Sequence, residues 1–208
     1  MNVKDLEPYV NSNIEEIRSR ILTRKYHPNA VRRVEIPKDN GKTRMLGIPT
    51  VVDRMVQQAV VQVITPLFEP TFSTFSYGYR PGRSAEDAVR QAQTYIAEGY
   101  RFVVDMDLSK FFDTVNHDKL MGMVDETLYD KDIRRLIFSF LKAGVMESGV
   151  KVETTIGTPQ GGVISPILSN IYLTPFDKEM EKRGIKFIRY ADDTLCKALH
   201  RISYGKFP

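Results

Sequence analysis

Two adjacent carboxylates, Asp192 and Asp193, follow the run Lys186-Phe187-Ile188-Arg189-Tyr190 and the small residue Ala191. The run reads as a half-buried strand that alternates polar and apolar residues and enters a sharp turn. Two acids at a strand tip repel each other, and a chain that keeps both neutralises them most simply with a cation. Carboxylate oxygens are hard donors and suit Mg2+. Aspartate is also an ordinary turn residue, so the pair alone reads first as a plain turn. A second acidic strand upstream, Arg101 to Asp107, changes the weighting. Strand spacing puts Val103, Asp105 and Asp107 on one face and Phe102, Val104 and Met106 on the other. Carboxylates on a buried strand among apolar residues are costly unless paired or metal-bound. That favours a functional role and leaves open whether Asp105 or Asp107 carries it.

The elements that must hold these acids are legible in the same way. Leu6, Val10, Ile14, Ile17 and Ile21 recur at helical spacing up to the breaker Tyr26-His27-Pro28. Val31 to Ile48 reads as two strand arms around the turn Asp39-Asn40-Gly41, a ribbon carrying Arg32, Arg33, Lys38, Lys42 and Arg44. Its charge suits either phosphate binding or a lysine-protected edge strand. Thr50 with Asp53 opens a helix that Pro66 should end or kink, and Ser84 with Asp87 opens another. Between them, Phe75-Ser76-Tyr77-Gly78-Tyr79-Arg80-Pro81-Gly82-Arg83 mixes rings, glycines and arginines in a way that suits a nucleic-acid backbone, or a buried glycine loop. Helices are expected from His117 and from Asp130, and a hairpin around Glu147-Ser148-Gly149. Gly157 to Gly162 reads either as a plain loop or as one whose paired glycines let a backbone approach a ligand closely, without the lysine of a P-loop, and Ser165-Pro166 reads as a helix start. Asp113 and His117 read as structural.

Composition sets wide bounds. The 208 residues are ordinary globular material, 42% hydrophobic and 27% charged, with a net charge of +4 that weakly favours a polyanionic partner. A single cysteine excludes an internal disulfide. No signal peptide and no apolar run of membrane-spanning length stand out, so the expectation is a cytoplasmic protein without a membrane partner.

Taken in order, these blocks resemble the reverse transcriptases encoded by bacterial group II introns, the maturase type. The matching stretches are Arg44 to Thr50 with Asp53-Arg54, Tyr77 to Ser84, Asp105 to Asp113, Thr158 to Gly162, and Tyr190 to Asp193. The resemblance runs from about Ile14 to Asp193. It implies an α+β fold, the fingers and palm of a right-hand polymerase, with an antiparallel palm sheet flanked by helices. Fingers would span 1–100, including the basic hairpin 31–48, and palm 101–193. Residues 194–208 look like an atypical tail without clean strand alternation, in place of the thumb that family members carry.

The same resemblance implies RNA-directed DNA synthesis, in which a DNA primer 3′-hydroxyl attacks a deoxynucleoside triphosphate on an RNA template, with two Mg2+ ions. It assigns the metal and catalytic role to Asp107, Asp192 and Asp193. Asp107 is preferred over Asp105 because Phe112, five residues on, matches the aromatic that screens the sugar. Lys38 and Arg44 would hold the triphosphate. Gln160, Gly161 and Gly162 would line the nucleotide and template side, and Arg80 and Arg83 the template backbone. A structured intron RNA is an expected partner, and a palm left uncovered would favour self-association. Two other readings stand beside this one: an inactive, truncated maturase that binds RNA without polymerising, and a palm-type nucleotide cyclase, for which no signature is present.

Overall fold

The computed structural model describes residues 2–37, 43–108, 110–147, 150–152, 154–158 and 161–198. In chain order they form α1 (Leu6–Leu22), β1 (Val31–Pro37), β2 (Thr43–Ile48), α2 (Val51–Phe68), α3 (Ala85–Ala97) and β3 (Phe102–Asp107). There follow α4 (Phe111–Thr114), α5 (His117–Thr127), α6 (Lys131–Leu141), β4 (Val145–Glu147), β5 (Val150–Val152), α7 (Ser165–Lys182), β6 (Lys186–Tyr190) and β7 (Asp193–Ala198). They make two compact units interleaved along the chain, one from residues 1–68 with 110–168, the other from 69–109 with 169–208. This division by compactness differs from the linear one suggested by the sequence.

The first unit holds a sheet in the order β2-β1-β4-β5. β1 and β2 are antiparallel in the expected hairpin, from Arg32 opposite Ile48 to Pro37 opposite Thr43. β4 joins the far side of β1 in parallel, Val31 opposite Val145, a pairing that local sequence patterns do not encode. Ile17, Tyr26, Val56 and Phe140 form a core shared by α1, α2 and α6. The start of α2 is built as its residue types dictate: the Asp53 amide donates to Thr50 Oγ1, and Thr50 Oγ1 donates to the Asp53 carboxylate at 2.6 Å. That carboxylate is 1% exposed and also accepts from Tyr26 Oη at 2.7 Å and from the amide and side chain of Asn29. α2 continues through Pro66 to Phe68, so the proline does not end it.

The second unit is organised on the antiparallel sheet β3-β7-β6. Ile188 lies under α3 with Tyr77, Ala88 and Tyr95. Phe187, Cys196, Val104 and Met106 pack on the other side with Met180 and Phe176 of α7. The sequence leads to expect an irregular tail from Thr194 onward; instead Asp193–Ala198 is the central strand, paired with both neighbours. The pattern escapes a polar/apolar reading because its buried positions are Thr194 and Cys196, small residues that fit beneath a helix.

Candidate active site

β6 and β7 are joined by only two residues, Ala191 and Asp192, between the paired Tyr190 and Asp193. Ala191 has a φ of 61°, a left-handed conformation that costs a residue with a Cβ roughly 1–2 kcal/mol. On the other side of β7, Asp193 lies directly opposite Asp107, and Asp105 opposite Leu195. Directly opposed residues project from the same face of a sheet with Cβ atoms about 5 Å apart. The strand pairing therefore sets Asp107 beside Asp193, with Asp192 next along the turn and Asp105 further down the face.

Asp105, Asp107 and Asp193 are exposed and Asp192 is half-buried. The expectation of a buried strand among apolar residues is thus corrected: among the described residues β3 is the edge of its sheet, and Val103, Asp105 and Asp107 form its open face. Crowding still marks the strand tip. Asp193 is raised above the ordinary aspartate range, first by partial desolvation and then by repulsion from Asp192, Asp107 and Asp105. None of the four has an ion-pair partner among the described residues. Nor, among those residues, do three metal-ligating side chains close on one point. The donor set, all hard oxygen and all uncompensated, fits a hard divalent cation.

Behind this face lies a feature that sequence reading missed. Arg189 is fully buried, not the solvent-facing half of an alternating strand. Its Nε and Nη2 donate to the two oxygens of Asp177 at 2.8 and 2.7 Å. Nη1 donates to Asn170 Oδ1 at 2.9 Å and to the Ala191 carbonyl at 2.8 Å. The available signal was faint: Asn170 and Asp177 are seven residues apart on α7, hence on one stripe of a helix that also buries Ile167, Leu168, Ile171 and Leu173. Asn170 also donates through Nδ2 to the Gly78 carbonyl at 3.0 Å.

Residues 36–201 match the family described as reverse transcriptase (RNA-dependent DNA polymerase). This chain belongs to that family. Protein YkfC of Escherichia coli strain K12 is 40% identical over 187 residues, which is 88% of this chain and 49% of YkfC. Group II intron-encoded protein LtrA of Lactococcus lactis subsp. cremoris is 39% identical over 171 residues, 82% of this chain and 28% of LtrA. Among solved structures, a partial Cas6-RT-Cas1–Cas2 complex superposes with a TM-score of 0.56 at 27% identity, over 92% of this chain and 34% of that one. The mixed helix and sheet architecture is that of reverse transcriptase fingers and palm, of the group II intron type. The chain spans about half the length of YkfC and less of LtrA.

The remaining residues that the reverse transcriptase resemblance singled out are placed unevenly. Lys38 and Gln160 lie outside the described residues, and of Arg44 only the backbone is described, in β2 opposite Ile36. Phe112 is buried in the first unit with its ring edge-on to Phe111. Gly161, in the same unit, has a φ of 108°, and a Cβ there would meet the Gly47 carbonyl oxygen at 3.2 Å. Arg83 is half-buried, its guanidinium 5.2 Å over the Tyr77 ring. Arg80 is corrected. Its side chain is 5% exposed and spends its donors internally, on Glu69 Oε1 at 2.9 and 2.6 Å and on the Ser73 and Ser76 carbonyls. It ties the loop together rather than facing a template.

Proposed function

We propose that this chain supplies the fingers and palm of a group II intron-type RNA-directed DNA polymerase, extending a DNA primer on an RNA template. The observation that carries this is Asp107 opposite Asp193 in the register, with Asp192 beside them, in a member of the reverse transcriptase family. Asp107, Asp192 and Asp193 would hold two Mg2+ ions. Such a pair, when bound, lowers the pKa of the primer hydroxyl and stabilises the attacking and leaving oxygens of the displacement. Asp107 is the first-strand ligand, since Asp105 faces Leu195 rather than an acid.

The other side chains bind and orient. Lys38 and Arg44 neutralise the triphosphate, a task for charge-assisted hydrogen bonds. By the same family resemblance, Phe112 would screen the sugar and select deoxynucleotides, and Gln160, Gly161 and Gly162 would line the nucleotide and template side. Arg83 contributes to template phosphate binding. A structured intron RNA would be the natural partner.

Primer extension with Mg2+ on a short RNA template tests the reading. Extension that disappears in Asp192→Ala is the expected result. No extension at any protein concentration, together with salt-dependent RNA binding untouched by Asp107→Ala, would replace the polymerase with an RNA-binding module.

A further inference from the structure

The carboxylates occupy one face of the β3-β7-β6 sheet, and Arg189 the other. Arg189 pairs with Thr194, in the row next to the one that holds Asp107, Asp193 and Tyr190. Its guanidinium, Asp177 and Asn170 are each 0% exposed. A buried ion pair is a poor device for stability alone, because apolar residues of similar volume do as well or better. What such residues cannot supply is an N–H aimed at a chosen carbonyl. Here the target is Ala191 O, and that oxygen belongs to the rigid peptide plane that leads into Asp192. Fixing the oxygen fixes the plane, and the plane sets where Asp192 and Asp193 leave the turn. The left-handed φ of Ala191 gives the turn a reason to relax if it is released.

We propose that Arg189 is a positioning residue for the divalent-ion site: its guanidinium, oriented by Asp177 and Asn170, pins the Ala191 peptide so that the Asp192-Asp193 pair is presented toward Asp107. The inference rests on the two-metal reading above. A purely structural ion pair and a positioning one make different predictions for the double variant Arg189→Met with Asp177→Leu. That variant removes both charges together and leaves no buried ion alone.

The test measures thermal unfolding and Mn2+ affinity of the full chain, the latter by the electron-spin-resonance signal of free Mn2+, alongside primer extension. The double variant should melt as a folded protein yet bind Mn2+ about 10–100-fold more weakly, as groups behind a metal site do when lost. Its kcat should fall while KM for the nucleotide stays put. Arg189→Lys, which keeps the charge opposite Asp177 but cannot fork to reach Ala191 as well, should show the same loss and covers the case of a double variant that does not fold. Folded variants with unchanged Mn2+ affinity and kcat would overturn the inference. Equal Mn2+ binding by the unaltered chain and Asp193→Asn would instead overturn the two-metal reading, and the inference with it.

Discussion

Gly78 gives the sharpest test of how closely the acidic turn is held. A Cβ built there would stand 2.2 Å from the Ala191 nitrogen, 2.9 Å from the Tyr190 carbonyl carbon and 3.0 Å from the Ala191 Cα. All three obstacles are backbone, so no side chain can swing aside. Ordinary contact begins at 3.4 Å, so Gly78→Ala forces a retreat of more than 1 Å between the Gly78 loop and the turn. The loop is not free to yield alone: the Tyr77 amide donates to the Arg189 carbonyl at 2.8 Å, the Arg189 amide to Phe75 O at 2.9 Å, and Asn170 to Gly78 O. The cost in stability should be about 1–3 kcal/mol, typical of overpacking. The cost in rate is larger, because a misplacement of about 1 Å at a reacting centre is worth roughly 100-fold. Gly82→Ala is the matched control. It makes the same chemical change at a φ of +70° with open space around it, so it should lose about 1 kcal/mol to backbone strain and keep its activity. Single-turnover extension of a labelled primer on RNA, with melting curves for both variants, separates the two. Equal extension by Gly78→Ala and Gly82→Ala, with the former melting like the unaltered chain, would refute the claim that this loop holds the turn.

Asp193→Asn should abolish extension and yet stabilise the metal-free protein at pH 7. Burial and neighbouring acids raise Asp193, so the folded chain binds its proton more tightly than the unfolded one, and ionisation works against folding. For so exposed a group the gain is under about 1 kcal/mol, and it should close as pH falls through the raised value toward the ordinary 3.8. A gain that grows with acid in chelator-treated samples would contradict the sign. Asp53→Ala leaves the buried Tyr26 hydroxyl without its acceptor and takes away the bonds that tie Asn29 and Thr50 to the start of α2, and should cost about 3 kcal/mol in urea unfolding, with Tyr26→Phe costing less. Cys196 is buried in the second core, where burial pushes its thiol up to about 11. It should resist aromatic disulfide reagents at pH 8 until denaturant is added, and immediate stoichiometric reaction would place the thiol outside the core.

Much of this fold is written locally. Thr50 with Asp53 and Ser84 with Asp87 announce their helices because the capping hydrogen bonds link residues three apart, and the structure contains both. The presence of β6 and its acidic turn, and the shared face of Asp105 and Asp107, follow from local strand pattern, although β6 buries Phe187, Ile188 and Arg189 in succession. What escaped depends on partners distant in sequence. Thr194–Ala198 looks irregular until a helix is laid over Thr194 and Cys196. Arg189 reads as a surface residue because nothing nearby announces Asp177 and Asn170, and Arg80 reads as a phosphate ligand because nothing nearby announces Glu69. Arginine is the residue most easily misjudged, since the same fork serves a phosphate or a buried carboxylate.

The order in which the sheet can assemble follows from its threading. β3 emerges from the ribosome well before β7, its neighbour among the described residues, and residues 110–168, which belong to the other unit, intervene. Closing so long a loop is slow, and contacts this distant in sequence lower folding rates. Meanwhile the nascent strand offers unpaired amides and the apolar Phe102 and Val103 to any passing edge, and Asp105 and Asp107 are the charges that discourage such docking. Replacing both with asparagine would therefore remove a folding safeguard, and soluble yield should fall before any assay begins.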